Sequence, residues 1–395
     1  MARILMAWEL GAGYGHLAPM LTLARALQED GHTVSFATRD VAGAETVLAG
    51  SGMPFYPAPA NFLPRGGSSL HSYPQILLGT AFNREDELCA RVRAWRSLFQ
   101  ALGTEVLVVD HAPTALLAAR GMDLPCVITG NGFVIPPDVS PLPELRTWEP
   151  EDPAVLERSE ALALERANAV AARIGAPRLP RLADLYAAAA PALFTFPELD
   201  NYRSLRGDAE YWGTLPSPGG AEPQWPDAPG KCIFFYGQPY PSLEAVLTEL
   251  SRGPHRALVY IPKLAAELRA KLAGPRIAFA DGFMDMSQVT RDCDAAVMTN
   301  GHGTTAAMLL AGKPVVLLPR QLEMFLIARS VEEHGAGLSA PLLKLEGILG
   351  KLERVLTEPA FREKAQALSR AHEGWRPDTP VTKFRALVTR LAGER

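Results

Sequence analysis

The sequence predicts an α/β protein made of two doubly wound halves, each built on a parallel sheet flanked by helices. Three stretches carry that prediction. Residues 3–38 run as strand, glycine-rich loop, amphipathic helix and strand, a βαβ unit. Residues 294–319 repeat the pattern: a short apolar run, a glycine loop, a helix former with one apolar face, a stop at Gly312 with Pro314 beyond it, and a second apolar run. Between them, residues 207–230 carry Pro216, Pro218, Gly219, Gly220, Pro223, Pro226 and Pro229 and read as a linker.

The elements follow in order. Residues 3–8 are an apolar strand, and Gly11-Ala-Gly-Tyr-Gly-His16 is a loop. Residues 17–29 form a helix with Pro19 in its first turn and Gly31 past its end, and residues 32–38 form the next strand. Gly11 and Gly13 are followed by Gly15, a spacing wrong for a dinucleotide loop. Residues 60–100 read as irregular and then helical, with a helix over 85–102. A buried strand over 105–110 ends in Asp110, and a helix runs from His111 to Arg120. Then come a strand over 125–130, a proline-rich loop over 136–150, an alanine-rich helix over 151–174 and a short strand over 193–196. In the second half, strands are expected over 231–236, with Gly237 and Gln238 at the tip, and over 257–261, 276–279, 295–298 and 315–318. A helix is expected over 304–311, and the final helices over 351–357, 360–373 and 381–392.

Composition narrows the classes. Hydrophobic content of 48% and charged content of 21% fit a globular protein of two or three domains. A net charge of −4 without a basic run argues against nucleic acid as a partner. Cys89, Cys126, Cys232 and Cys293 form no C-x-x-C pair, which argues against structural zinc and fits a reducing cytoplasm. The first apolar run is too short for a signal peptide or membrane helix, so no stable membrane insertion is expected. Oligomeric state is not legible.

A glycine loop that feeds a helix presents free amides and the positive end of a helix dipole, which suits a phosphate. The loop at Thr299-Asn300-Gly301-His302-Gly303-Thr304 is followed by Gly312-Lys-Pro314, Pro319, Glu323-Met324, Ala328 and Gly335-Ala-Gly337. In that order and spacing the run resembles the donor-binding signature of the UDP-glycosyltransferase superfamily. Gly15-His16-Leu17-Ala18-Pro19, with Leu23-Ala24 and Gly31-His32, resembles the start of the same superfamily. The resemblance covers most of the chain and is nearest to bacterial natural-product enzymes. It implies the GT-B fold, two Rossmann-like domains facing each other across a cleft. The expected domains are 1–206 for the acceptor, a linker at 207–230, and 231–395 for the nucleotide sugar, with the last helix crossing back to the first domain.

The resemblance implies an inverting glycosyltransferase. It would move a sugar from UDP or dTDP to a small, rather apolar acceptor, with no cofactor and no metal. His16, at a strand's C-terminal edge, would be the base, since an imidazole pKa of ~6.5 suits proton abstraction at neutral pH. Asp110 would hold the imidazole, with His111 beside it a rival for the assignment. Donor contacts are expected from Gly15, Gly237, Gln238, Thr299, Asn300, Gly301, His302, Gly303, Thr304, Glu323 and Met324, with Phe283 near the base. Thr299 stands where the family has a phosphate-binding histidine, and could donate only a neutral hydrogen bond. Met324 replaces the usual glutamine and would leave an apolar patch suited to a deoxysugar. Phe62, Tyr73, Phe82 and Phe133 are expected to wall the acceptor. Asp292-Cys-Asp294 spells D-x-D but precedes a buried strand, so no metal is inferred from it.

Two other readings compete. A GT-B sugar-nucleotide epimerase would need further acidic residues, and no such set is identified. A non-catalytic nucleotide-sugar binder is favoured by Thr299 and Met324, but a pure binder needs no base like His16 with Asp110.

Overall fold

The computed structural model describes residues 1–11, 14–60, 70–216, 219–299 and 301–394. Two compact units emerge. The first is Met1–Thr195, Asn201–Leu215 and Asp378–Arg395, and the second is Phe196–Asp200 and Pro216–Pro377.

The first unit runs β1 (Arg3–Trp8), α1 (Tyr14–Glu29), β2 (Thr33–Thr38), α2 (Val41–Val47), β3 (Phe55–Pro57), α3 (Tyr73–Gly79), α4 (Glu85–Leu102), β4 (Val106–Asp110), α5 (Pro113–Ala119), β5 (Cys126–Gly130), α6 (Pro153–Arg173), α7 (Asp184–Ala187) and β6 (Ala190–Leu193). Its sheet has the order β3-β2-β1-β4-β5-β6, and every pair is parallel. Helices cover both faces of such a sheet, so its strands read as continuous apolar runs; all of β4 is buried. The order reverses between β1 and β4, the switch point at which open α/β sheets bind ligands.

The second unit runs β7 (Cys232–Tyr236), α8 (Leu243–Arg252), β8 (Arg256–Tyr260), α9 (Ala266–Leu272), β9 (Ile277–Phe279), α10 (Met286–Asp292), β10 (Ala295–Met298), α11 (His302–Leu310), β11 (Val315–Leu317), α12 (Leu322–Glu333), β12 (Gly337–Ser339), α13 (Leu345–Thr357) and α14 (Pro359–Ala371). Its parallel sheet is ordered β12-β11-β10-β7-β8-β9, the same winding, with its switch point between β7 and β10. Strand side chains alternate between faces. Phe234, Ala296 and Met298 enter one apolar cluster, while Ile233, Phe235, Ala295 and Val297 enter the other.

The last helix, α15 (Thr379–Gly393), packs into the first unit's core through Phe384 and Val388, both fully buried. Arg385 clamps it to Asp30 on the far side of α1's end, and Lys383 reaches Glu210. No helix among the described residues is long and apolar enough to cross a membrane.

Several elements differ from expectation, among them α1, which begins at Tyr14 rather than at residue 17 and so takes His16 from the expected loop into its first turn. The strand expected at 193–196 lies at Ala190–Leu193, because pairing of Val127 with Ala190 overrides the weak strand preference of alanine. Helix α13 starts at Leu345 despite Gly347 and Gly350. Its stripe of Leu345, Ile348, Leu349, Leu352 and Val355 packs on the core, which outweighs the ~1 kcal/mol cost of each glycine. Helix α11 begins at His302, two residues before its expected start at Thr304.

Replacing Phe384 by Ala empties a fully buried site in the first unit. The variant should lose about 3–5 kcal/mol in urea denaturation, and a loss under about 1 kcal/mol would show that α15 is not part of that unit's core.

Candidate functional site

Candidate residues gather in two clusters, one in each unit. In the first unit, Trp8 and Asp110 are direct neighbours at the C-terminal ends of β1 and β4. The chain leaves β1 through Gly11, at φ +94°, and enters α1, whose first turn carries His16. His16 Nδ1 lies 3.1 Å from Asp110 Oδ1, and both side chains are largely buried, at 14% and 10% exposure. The carboxylate can only accept, so Nδ1 carries the proton and Nε2 is the basic nitrogen. The imidazole stacks on Trp8 at a 5.1 Å centroid distance and 22°, and the Trp8 indole N–H is fixed by the Leu10 carbonyl. A Cβ on Gly11 would stand 2.3 Å from His16 Nε2, so glycine is required there by contact as well as by φ. Arg39 donates to the Gly11 carbonyl at 2.8 Å and pins the turn. Gly15, beside His16, is exposed.

His111, the rival imidazole, is buried with a left-handed φ of +47°. Its carbonyl accepts from Leu10 N at 3.0 Å, while its Nε2 finds no partner among the described residues. Burial pushes its pKa down to about 3, with the charges of His16 and Arg39 adding to the effect, so the ring stays neutral. Three rings surround it: Tyr73 at 5.9 Å, Phe133 edge-on at 6.0 Å and His16 at 6.3 Å.

The acceptor wall needs correction. Tyr73 and Phe82 are fully buried and Phe133 is 8% exposed. Tyr73 stands edge-on to Tyr186 at 5.5 Å, and with Phe133 it packs against His111. These rings form core behind the His16–Asp110 pair rather than a surface facing a ligand. Phe62 lies outside the described residues.

Glu9 was not anticipated. It is fully buried and accepts from the Thr114 amide at 3.0 Å, the Ala115 amide at 2.9 Å and the Thr114 hydroxyl, capping α5 from the residue just past β1, more than a hundred residues away. Burial raises its pKa to about 7, against the pull of these hydrogen bonds.

In the second unit, Thr299 follows β10 and is fully buried. Its amide donates to the Tyr236 carbonyl at 3.0 Å, and its Oγ1 accepts from the Gln238 amide at 2.9 Å. A Cβ on Gly237 would stand 2.1 Å from that oxygen. Thr299 therefore holds the tip of β7, a correction to its expected role as a phosphate donor. Asn300 lies outside the described residues. Gly301, at φ +109°, caps α11 without any side-chain cap, and a Cβ there would press on Tyr236 and Thr304. The first-turn amides of Gly303 and Thr304 have no carbonyl inside the helix to meet, and they sit at the positive end of its dipole. His302 is partly buried, and burial lowers its pKa to about 4 against the pull of Asp200, so it too is neutral.

Glu323, in the first turn of α12, is partly exposed, whereas Met324 is 2% exposed. Met324, Ile327, Ala328 and Val331 form one helical stripe packed into the core. The expected apolar patch at residue 324 is thus corrected, and with it the argument for a deoxysugar. Phe283, 37% exposed, stands edge-on to Tyr260 at 6.0 Å, and Tyr260 stacks on Tyr236 at 5.8 Å. Tyr236 and Tyr260, paired at the ends of β7 and β8, were missed; their position at strand ends beside Gly237 was the available signal. Asp294 sits before β10 and is held by Arg362, Lys231 and the Cys232 amide. Among the described residues no three His, Cys, Asp or Glu side chains gather as a metal would require.

Residues 244–381 match the family described as erythromycin biosynthesis protein CIII-like, C-terminal domain. An elloramycin glycosyltransferase from Streptomyces olivaceus is 30% identical over 127 residues, covering 29% of this chain and 32% of its own length. A sterol 3-beta-glucosyltransferase from Vanderwaltozyma polyspora is 38% identical over 77 residues, covering 20% of this chain and 6% of its own. The chain thus spans about a third or less of the curated relatives it matches. The spinosyn rhamnosyltransferase complexed with thymidine diphosphate superposes with a TM-score of 0.66 at 21% identity, covering 98% of this chain and 99% of that one. The chain has the GT-B fold of glycosyltransferases. The resemblance to the UDP-glycosyltransferase superfamily is borne out by that fold and by the similarity of residues 244–381 to this family of C-terminal domains.

Glu9 gives a pH test. Its folded carboxyl keeps a proton up to about pH 7, whereas an unfolded glutamate releases it near ~4.3. Its contribution to stability is present below the unfolded value and is lost as pH rises through the folded one. The stability of wild type relative to Glu9→Gln should therefore fall between about pH 4.5 and about pH 7, read from urea midpoints. A pH-independent difference would refute the raised pKa.

Proposed function

We propose that the chain is an inverting glycosyltransferase of natural-product type, which moves a hexose from UDP or dTDP to a nucleophile on a small, rather apolar acceptor. The observation that carries the proposal is the His16–Asp110 pair at 3.1 Å, held at a sheet's switch point in a GT-B chain. A non-catalytic sugar-nucleotide binder has no use for a buried, carboxylate-oriented imidazole.

Each step has a residue. His16 Nε2 removes the proton of the acceptor's nucleophilic group, and Asp110 stabilises the imidazolium that forms. The nucleophile attacks the anomeric carbon as the bond to the diphosphate breaks, which inverts the configuration. The leaving diphosphate gains negative charge, and the amides of Gly303 and Thr304 with the α11 dipole stabilise it. Glu323 accepts from sugar hydroxyls, and Phe283 offers its exposed ring to the nucleotide base. No step is routed through a metal. The relatives support this reading by what their names state: one is an elloramycin glycosyltransferase, and a solved rhamnosyltransferase holds thymidine diphosphate.

The test is nucleoside diphosphate release from UDP- and dTDP-hexoses, with and without a panel of small, apolar hydroxylated acceptors. Release should require an acceptor, and His16→Ala should lower turnover by at least ~100-fold with donor affinity nearly unchanged. Asp110→Asn should lose less. A His16→Ala enzyme with wild-type turnover on a hydroxyl acceptor would sink the assignment.

Gly11→Ala offers an independent check. The methyl group would displace the imidazole from its contact 2.3 Å away, so turnover should fall by about 10-fold or more while the α1 helix and donor affinity persist. Unchanged turnover would mean that Nε2 is not the reacting nitrogen.

A further inference from the structure

We infer that Arg320 is a charged ligand for the donor's diphosphate, entering from the loop after β11 and supplying the positive charge that the loop at 299–304 lacks. The inference rests on the reading of that loop as the diphosphate site and adds a residue to it.

The deficit is visible in the side chains. Thr299 is neutral and its hydroxyl accepts from the Gln238 amide. His302 is partly buried, and burial lowers its pKa to about 4 against the pull of Asp200, which leaves it uncharged at neutral pH. Backbone amides and a helix dipole supply only partial charges, whereas a leaving diphosphate is a multiply charged anion.

Topology brings Arg320 to that spot. Strand β10 lies between β11 and β7, and Met298 is in register with Leu317 on one side and Tyr236 on the other. The three residues mark one level at the C-terminal edge of the sheet. Arg320 follows Leu317 by three residues, and Gln238 follows Tyr236 by two. Yet Arg320 Nη1 reaches Gln238 Oε1 at 3.5 Å and the Pro239 carbonyl at 3.2 Å. A contact from the end of β11 to the end of β7 must pass over the end of β10. That is where Thr299 leads to Gly301 and the open first turn of α11.

The guanidinium is also available. Arg320 is exposed, its two partners are neutral carbonyl oxygens, and among the described residues it has no carboxylate partner. These two bonds, at 3.5 and 3.2 Å to uncharged acceptors, hold the side chain over the loop and leave its charge without an anionic partner among the described residues. A phosphate oxygen in place of the Gln238 carbonyl would replace an uncharged acceptor with an anionic one, and the planar fork is suited to two such oxygens at once.

The experiment compares wild type, Arg320→Gln and Arg320→Lys. Binding of UDP and dTDP is measured by calorimetry, and of uridine and thymidine by ligand-observed NMR, with thermal melts to confirm folding. Arg320→Gln should weaken the better diphosphate by about 10-fold or more and leave its nucleoside within about 2-fold, with Arg320→Lys in between. Added salt should weaken diphosphate binding more in wild type than in Arg320→Gln. A diphosphate affinity unchanged within about 2-fold in a folded Arg320→Gln would overturn the role of Arg320 alone. A wild type that binds neither diphosphate would overturn the donor-site reading and this inference with it.

Discussion

The register between β1 and β4 is the constraint on which the first unit's chemistry depends. Because the two strands are parallel neighbours, Trp8 and Asp110 end side by side, one as a platform beneath His16 and the other as its hydrogen-bond partner. A slip of one residue would turn Asp110 to the other face of the sheet and separate the pair. A hydrogen bond to a charged group contributes about 1.5–3 kcal/mol, comparable to the roughly 1–3 kcal/mol that a non-glycine left-handed residue such as His111 costs. The strained turn after β4 is thus tolerated where the structure also gains a fixed imidazole.

The second unit repeats the strand order and builds a different surface from it. Its edge is made largely of backbone, and side chains set the backbone's position. Thr299 is the keystone: it bonds the C-terminal end of β7 through Tyr236 and Gln238, and only a glycine at 237 leaves room for it. Residue 299 is fully buried, and its hydroxyl is engaged by the Gln238 amide. The departure from the superfamily's pattern at this position is therefore tied to the tip of β7, and is not an isolated substitution.

The sheet architecture was legible because parallel strands are short apolar runs and their loops are punctuated by glycine and proline. His16 and Asp110 were legible only through resemblance, since ninety-odd residues separate them and nothing local links them. Met324 could have been placed correctly from spacing alone, because 324, 327, 328 and 331 complete a helical stripe. The acceptor aromatics failed for a general reason: an aromatic side chain in a sequence does not show which side of it meets the core, and Tyr73 and Phe82 meet it on all sides. Glu9 was hidden because it caps a helix that is distant in sequence, whereas capping is read from adjacent residues.

The placement of α15 gives the first unit a core that is assembled from both ends of the described chain, with the whole second unit between them. During synthesis β1 and α1 emerge early, but the surface covered by Phe384 and Val388 stays bare until everything up to residue 388 has been made. The second unit is contiguous apart from the short Phe196–Asp200 segment, so it can close before the first does. The core around β1 and α1 is therefore completed only after the second unit's last residue has been made.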